Sequence, residues 1–179
     1  MAVAEMLETE LIEAAVAGNI DSFGKLAARY YPSMVAIGYS VLADHALAED
    51  AAQEAFARAL AGLPGLRNKA RFAPWLARIC RNVASDMVTA RARQTRTEDV
   101  PNSAADNNDD DVRAVRRALE QLPVSTRELV VLRYYDGLSY DEISSVLGIS
   151  KASINGRLTR AKRKMAKYLQ RDGFLESSI

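Results

Sequence analysis

Apolar residues recur at spacings of three and four along most of the chain, and no segment shows the alternation of apolar and polar residues typical of a strand. The pattern therefore predicts an all-α fold. Proline and glycine predict a loop at Leu63 to Arg71. Four helices are predicted before the loop: one that ends at Gly18, a second capped by Asp21 and interrupted by Pro32, a third capped by Ser33, and a fourth from Asp44 to Gly62. A fifth helix, from Pro74 to Arg93, is predicted after the loop.

The second half of the chain carries sharper helix signals. A helix over 112–122 ends before Pro123, and two capping boxes follow, one from Ser125 to Glu128 and one from Ser139 to Glu142. Gly148 ends the helix that Ser139 starts, and Ser150 is predicted to cap a last, basic helix. A helix, a short glycine turn and a basic helix in this order predict a helix-turn-helix.

Charge divides the 179 residues into three parts. Residues 1–93 have no net charge, residues 94–111 have a net charge of −5, and residues 112–179 have a net charge of +6. The middle part, "QTRTEDVPNSAADNNDDD", is polar and lacks aromatic residues, so it cannot bury a core. We therefore predict two small helical domains, 1–93 and 112–179, joined by a flexible acidic linker over 94–111.

Composition excludes several classes of function. The single cysteine, Cys80, and the single histidine, His45, are too few for a disulfide or an ordinary zinc site, and we expect a buried apolar role for Cys80 and a surface position for His45. The sequence shows no nucleophile paired with a base and no phosphate-binding loop, so we expect no catalytic residue, metal or cofactor. Without a signal peptide or a membrane span, a cytoplasmic protein is expected.

The last helix is the strongest candidate for chemistry. Ile154, Leu158, Ala161, Met165 and Leu169 form one stripe that is expected to pack on the scaffold helices. The rest of the helix is small at its start and basic further along, which suits a major groove and its phosphates. The residues assigned to duplex DNA are Lys151, Ser153, Asn155, Gly156, Arg157, Arg160, Arg163 and Lys167. The alternative is a solvated basic face with a glycine of no special role; the helix-turn-helix context favours DNA.

Three stretches carry a resemblance to a known family. The segment "ALEQLPVSTRELVVLRYYDGLSYDEISSVLGISKASINGRLTRAKRKM" resembles the C-terminal DNA-binding domain of bacterial sigma factors of the extracytoplasmic-function (ECF) type. "DHALAEDAAQEAFARAL" and "ARFAPWLARICRNVASDMVTARAR" are similar to the N-terminal domain of the same family, in the expected order. The chain departs from the family pattern at Ala152, Ser153, Asn155 and Gly156. These departures are expected to change which promoter sequence the last helix reads.

The resemblance implies roles for particular residues. The acidic and amide patch of Asp50, Gln53 and Glu54 would dock on the clamp of core RNA polymerase, and the final helix would bind the minus-thirty-five element. The residues implied in melting and capturing the minus-ten element are Arg67, Asn68, Lys69, Arg71, Arg78, Asn82 and Asp86. Phe72 and Trp75 carry aromatic rings that can stack on bases, although their position at the start of an amphipathic helix favours burial in the core.

The partners implied are core RNA polymerase, promoter DNA as duplex and as single strand, and an anti-sigma factor, with no membrane contact by the chain itself. The linker is a tether, and the resemblance adds that its negative charge could mimic nucleic acid inside the polymerase. A second function remains open, a helix-turn-helix activator whose N-terminal domain senses a ligand or dimerises. An activator would bind duplex DNA alone, whereas a sigma factor needs core polymerase.

Overall fold

The computed structural model describes residues 7–94, 110–171, 173 and 174. These residues form helices and no strand, as the hydrophobic pattern predicts. The helices are α1 Glu8–Val16, α2 Ile20–Leu42, α3 His45–Gly62, α4 Phe72–Gln94, α5 Asp110–Glu120, α6 Val124–Val130, α7 Tyr140–Leu147 and α8 Lys151–Arg171. Short 3₁₀ turns, Leu63–Gly65 and Lys69–Arg71, occupy the predicted loop, and a π-helical turn, Val131–Tyr135, continues α6. Most of the predicted linker lies outside the described residues, and its last two residues begin α5.

The core of the first domain lies between α2, α3 and α4. The inward face of α3 consists of alanines, which are fully buried. A Cβ at Gly38 of α2 would lie 3.0 Å from the carbonyl oxygen of Ala48, so α2 and α3 approach each other closely at that point. Leu26, Met34 and Leu76 fill the remaining space and are almost fully buried.

Pro32 does not interrupt α2, contrary to the sequence prediction. The helix runs unbroken to Leu42, so Ser33 caps nothing. The N-cap of α2 is Asn19 and not the predicted Asp21, since Asn19 Oδ1 accepts a hydrogen bond from the backbone N–H of Ser22 at 2.9 Å. A proline inside a helix costs about 3 kcal/mol because one backbone hydrogen bond is lost. Apolar residues before and after Pro32 are buried in the same core, and this burial holds the helix together.

The other boundaries in the first domain agree with the sequence more closely. Asp44 caps α3, since its Oδ1 accepts from the N–H of Leu47 at 3.2 Å, and Pro74 lies in the first turn of α4. The buried stripe of α4 is centred on Leu76 and Cys80. The residues predicted for that stripe are only partly correct: Val83 is buried, but Trp75, Ile79 and Met87 lie at its half-buried edge.

One predicted capping box of the second domain is confirmed. Ser139 Oγ accepts from the N–H of Glu142 at 3.3 Å, and Glu142 Oε2 accepts from the N–H of Ser139 at 2.8 Å. Gly148 ends α7 with a φ of +68°, and Ser150 Oγ accepts from the N–H of Ser153 at the start of α8. Helices α7 and α8 form the predicted helix-turn-helix.

The other predicted capping box is wrong. Helix α6 begins at Val124, and neither Ser125 nor any other side chain caps its N-terminus. Glu128 is buried and forms an ion pair with Arg81 of α4, with 3.1 Å between Oε2 and Nε. The Glu128 carboxylate, which the local pattern assigned to the N-cap of α6, is therefore used in an ion pair with a residue distant in sequence.

The two domains pack against each other. Helix α2 contacts α6 and the π-helical turn, and α4 contacts α7. Besides the Arg81–Glu128 pair, Arg78 of α4 donates to the backbone oxygen of Ser145 at 2.6 Å and to its hydroxyl at 2.8 Å. We call this packing the closed arrangement.

No helix in the described ranges has the length and apolar character needed to cross a membrane.

Candidate nucleic-acid interface

Helix α8 presents a basic face to solvent. Ile154, Leu158 and Ala161 are buried against the scaffold, as predicted. Met165 and Leu169 are only half-buried. The residues assigned to duplex DNA lie on the remaining surface: Lys151, Asn155, Arg160, Arg163 and Lys167 are exposed, and Ser153, Gly156 and Arg157 are half-buried.

Helix α7 orients the side chains at the start of α8. Lys151 Nζ lies 2.9 Å from Asp141 Oδ1, and the Tyr140 hydroxyl donates to Asn155 Oδ1 at 3.5 Å. These contacts hold two of the predicted base-reading side chains near the turn of the helix-turn-helix.

Gly156 has no packing role inside the chain. A Cβ at this position would meet only the Arg160 guanidinium, at 4.0 Å. The glycine therefore leaves open space on the outer surface of α8, where the sequence places a groove-facing position.

The outward face of α4 is joined to α3 by an ionic chain. Asn82 and Asp86 are exposed on α4. Arg58 of α3 lies 2.7 Å from Glu54 and 3.6 Å from Asp86. The structure thus connects one residue assigned to core polymerase with one assigned to the minus-ten element.

The patch assigned to core polymerase is exposed as a whole. Asp50, Gln53 and Glu54 lie on the outer side of α3, while Ala51 and Ala55 on the inner side are fully buried. The three polar side chains form one continuous surface on a rigid helix.

The loop before α4 uses part of its polar chemistry to hold its own shape. Asn68 Oδ1 accepts from the N–H of Ala70 at 3.1 Å, and Lys69 Nζ lies 3.2 Å from Glu13 of α1. Arg67 and Arg71 are exposed. Both arginines therefore remain accessible to a phosphate backbone.

Three further predictions concern single residues. Phe72 is buried and packs on Tyr30 and Trp75, so it belongs to the core. Cys80 is buried as predicted, and burial raises the pKa of its thiol to about 12. His45, predicted on the surface, is half-buried beside Glu49, with 3.7 Å between Nδ1 and the Glu49 carboxylate. In the described part of the chain, no cluster of side chains is suited to hold a metal ion.

Sequence reasoning missed the surfaces between the domains. An apolar groove of about 1010 Å³ lies between α2, α5, the π-helical turn and α8. Its lining includes Tyr39, Val115, Tyr135 and Leu169. The sequence signal for this groove was limited to apolar residues such as Val115 and Tyr135, which are exposed. Helical phase alone does not show that these residues line one groove.

Comparison with known proteins defines the class. Two family descriptions match: "Sigma-70 region 2" over residues 26–94 and "Sigma-70, region 4" over residues 112–165. The probable RNA polymerase sigma factor RfaY of Xanthomonas campestris is 32% identical over 88% of this chain, which spans 42% of that relative's length. The ECF RNA polymerase sigma-E factor of Escherichia coli K12 is 27% identical over 93% of this chain and 96% of its own length.

Two solved structures share the fold. The sigma factor RpoE in complex with the anti-sigma factor NepR, from Bartonella quintana, has a TM-score of 0.75 and 23% identity, covering 84% of this chain and 98% of that chain. The structure of CnrH in complex with the cytosolic domain of CnrY has a TM-score of 0.67 and 28% identity, covering 92% of this chain and 98% of that chain.

These matches define a two-domain helical transcription initiation factor with region 2 and region 4 in order. The chain belongs to the sigma-70 family and is an alternative sigma factor of the extracytoplasmic-function type. Members of this family are initiation factors and have no catalytic activity of their own.

Proposed function

We propose that residues 1–93 bind core RNA polymerase and the minus-ten element, and that residues 112–179 bind the minus-thirty-five element. The observation that carries this division is the outer face of α8. Arg160, Arg163 and Lys167 are exposed there, and none forms an ion pair with another described residue. Free cations at helical spacing on a helix-turn-helix suit a row of DNA phosphates.

The proposal assigns promoter opening to α4 and the loop before it. Arg67 and Arg71 of the loop and Asn82 and Asp86 of α4 are all exposed. Arginine can bind phosphate, and amide and carboxylate groups can pair with the edges of unstacked bases. This proposal includes no reaction catalysed by the chain itself, and it places the action of the protein in the cytoplasm, with the promoter DNA.

The closed arrangement has to open for this function. Minus-ten and minus-thirty-five elements lie about 25 base pairs apart, or about 85 Å at 3.4 Å per base pair. In the closed arrangement Arg78 of the first domain touches Ser145 of the second at 2.6 Å. The chain between Gln94 and Asp110 can reach about 50 Å when extended. The first domain adds its own length, since α4 with its 23 residues is about 35 Å long, so separated domains can cover the distance.

The polymerase assignment is tested with a charge reversal on α3. Replacing Gln53 and Glu54 together with lysine is expected to abolish binding to core polymerase in a pull-down while leaving the far-ultraviolet circular dichroism unchanged. Asp21→Lys, at an exposed position of α2, is the matched control and is expected to bind normally. Normal core binding by the double variant would refute the assignment.

The same preparation separates a sigma factor from an activator. Promoter duplex is titrated with the protein alone and with the protein plus core polymerase. A sigma factor binds the promoter tightly only with core present, and tight binding by the protein alone as a dimer would favour the activator.

Asn82→Ala should lower open-complex formation on a duplex promoter, with a smaller effect on a pre-melted template if the residue acts in melting.

The groove between the domains is proposed as the site of an anti-sigma partner. Tyr39, Val115, Tyr135 and Leu169 give it an apolar lining suited to one face of an amphipathic helix. Support comes from the structure of CnrH, which matches both domains of this chain together while bound to the cytosolic domain of CnrY.

The groove is tested with a candidate anti-sigma protein, sought among the products of the neighbouring genes and made together with the chain. The wild-type chain is expected to form a complex on gel filtration, and both Val115→Asp and Leu169→Asp are expected to lose it. Gln170→Asp, one position from Leu169 and exposed, is the control. A complex that survives both groove variants would place the partner elsewhere.

A further inference from the structure

Asp136 occupies a position that the backbone fixes tightly. It follows the π-helical turn, and its N–H donates to the carbonyl oxygen of Val131 at 3.1 Å, five residues back. Gly137, the next residue, has a φ of +70°, and the N–H of Leu138 donates to the carbonyl oxygen of Leu132 at 3.0 Å. The wide turn and the left-handed glycine together set the direction of the Asp136 side chain.

The Asp136 carboxyl lies at the contact between the domains. Both of its oxygens are buried, and neither has a hydrogen-bond partner. Burial is the main cause that raises the pKa of Tyr30 in α2, followed by its hydrogen bond to Glu8, and burial also raises the pKa of Cys80 in α4. The charge of Asp136 adds to both shifts, so the carboxyl of the second domain faces two helices of the first. The hydroxyl of Ser33 in α2 lies close enough to lower the pKa of the carboxyl, but its geometry does not make a full hydrogen bond.

The neighbouring ionisable groups make their contacts with other residues. Tyr30 donates to Glu8 Oε1 at 2.6 Å, and the buried thiol of Cys80 stays neutral. Arg81 of α4 is paired with Glu128, and Arg133 of the π-helical turn donates to the carbonyl oxygen of Leu138. Asp136 is thus a carboxyl group without a compensating cation.

A buried carboxylate without a partner is costly, and the cost is avoided when the group is protonated. Burial raises the pKa of Asp136 from its ordinary value of 3.8 to about 7. Separation of the domains would return the carboxyl to water and its pKa to the ordinary value. The closed arrangement therefore holds a proton that the separated domains release.

We propose that Asp136 makes the closed arrangement proton-dependent: the neutral acid allows the second domain to pack on the first, and the carboxylate drives the domains apart. The consequence for transcription rests on the function proposed above, because the closed arrangement engages Arg78 and cannot span a promoter. The closure itself is a property of the chain alone.

The direction and size of the effect follow from linkage. The closed state binds more protons than the open state between the two pKa values, so a rise in pH favours opening in this range and has no further effect well above pH 7. With pKa values of 3.8 and about 7, the ratio of open to closed protein increases about 20-fold from pH 5.5 to pH 7.5.

The test measures the distance between the domains in the full chain, without polymerase or DNA. Cysteines introduced as Ala57→Cys in α3 and Gln170→Cys in α8, both exposed, carry a donor and an acceptor dye. Cys80 is buried with a raised pKa and is protected from labelling. Energy transfer is recorded from pH 5.5 to 7.5 at constant ionic strength, and circular dichroism confirms that the helices persist.

Three variants isolate Asp136. Asp136→Asn, neutral and of the same shape, is expected to keep the same energy transfer at every pH. Ser33→Ala removes the hydroxyl that lowers the pKa and should move the transition to higher pH. His45→Gln removes the one histidine, which lines the interdomain groove, and Asp21→Asn removes an exposed carboxyl. Both of these controls should respond to pH as the wild type does.

Each outcome decides the proposal. A pH-dependent fall in energy transfer that disappears in Asp136→Asn and persists in His45→Gln supports it. Constant energy transfer in the wild type, or an unchanged response in Asp136→Asn, overturns it. Since no polymerase or promoter is present, such a failure leaves the sigma-factor function untouched, and a failure of core binding would leave the proton-dependent closure standing.

Discussion

Replacement of Gly156 by alanine should stabilise the protein. Gly156 lies inside α8, and a new Cβ would meet only the Arg160 guanidinium at 4.0 Å, so no clash opposes the change. Glycine in a helix interior costs about 1 kcal/mol relative to alanine. Gly156→Ala is therefore expected to raise the free energy of unfolding by up to about 1 kcal/mol, which corresponds to a rise in Tm of about 2–4 °C for a chain of this size.

Gly148 supplies a control with the same chemical change and the opposite sign. It also has open space around its missing Cβ, but its φ is +68°. Alanine in this left-handed conformation costs about 1–2 kcal/mol. Gly148→Ala should therefore lower Tm in the same thermal melts. If Gly156→Ala fails to raise Tm while Gly148→Ala lowers it, the backbone at Gly156 is under a constraint that the structure does not contain.

The effect on DNA binding separates a groove-facing glycine from an incidental one. Gly156→Leu should fold normally because the space outside the helix is open. Its side chain would hold α8 away from base edges, and the loss of one good base contact costs about 1–3 kcal/mol, or about 5- to 150-fold in affinity. Fluorescence anisotropy with core polymerase and promoter duplex measures this loss, and a scrambled duplex measures the part independent of sequence. Binding of the promoter as tightly as by the parent would show that the groove-facing side of α8 lies elsewhere.

Three other changes test separate parts of the structure. Ser139→Ala removes the N-cap of α7 and should lower the free energy of unfolding by about 1 kcal/mol in thermal melts, and an unchanged Tm would contradict the capping box. Arg163→Ala or Lys167→Ala should weaken binding to all DNA sequences alike and reduce the salt slope by about one unit, measured over a salt series; a sequence-selective loss would mean that the residue reads bases. Arg81→Ala leaves Glu128 without its partner and should increase the open population in the energy-transfer assay, whereas an unchanged distance would mean that this ion pair does not hold the domains together.

Local signals predicted those parts of the fold that depend on neighbours in sequence. The caps at Asp44 and Ser139 and the stop at Gly148 each satisfy backbone groups within a few residues, so their chemistry is visible in a short segment. Pro32 was misinterpreted because the burial of Met34 and of the residues before Pro32 in one core is a tertiary effect that outweighs the lost hydrogen bond.

The candidate site was predictable to the same extent. Helical phase placed Asn82 and Arg163 on outward faces, which the structure confirms. The sequence pattern could not predict the partner of Glu128. A glutamate three residues after a serine fits the capping box whether or not a distant residue, here Arg81, forms an ion pair with it. Asp136 also has no local signature, because its burial arises only when the second domain meets α2 and α4.

The contact between the domains draws on the same polar face of α4 that is assigned to promoter DNA. Arg78 lies one turn before Asn82, and helical phase gives both residues an outward direction. In the closed arrangement the Arg78 guanidinium donates to the backbone oxygen of Ser145, an acceptor that a phosphate oxygen can replace. Under the proposed function, a DNA phosphate would therefore compete with Ser145 for Arg78 Nη2. Any change that weakens the closed arrangement, such as Arg81→Ala or the deprotonation of Asp136, should make α4 more available to promoter DNA.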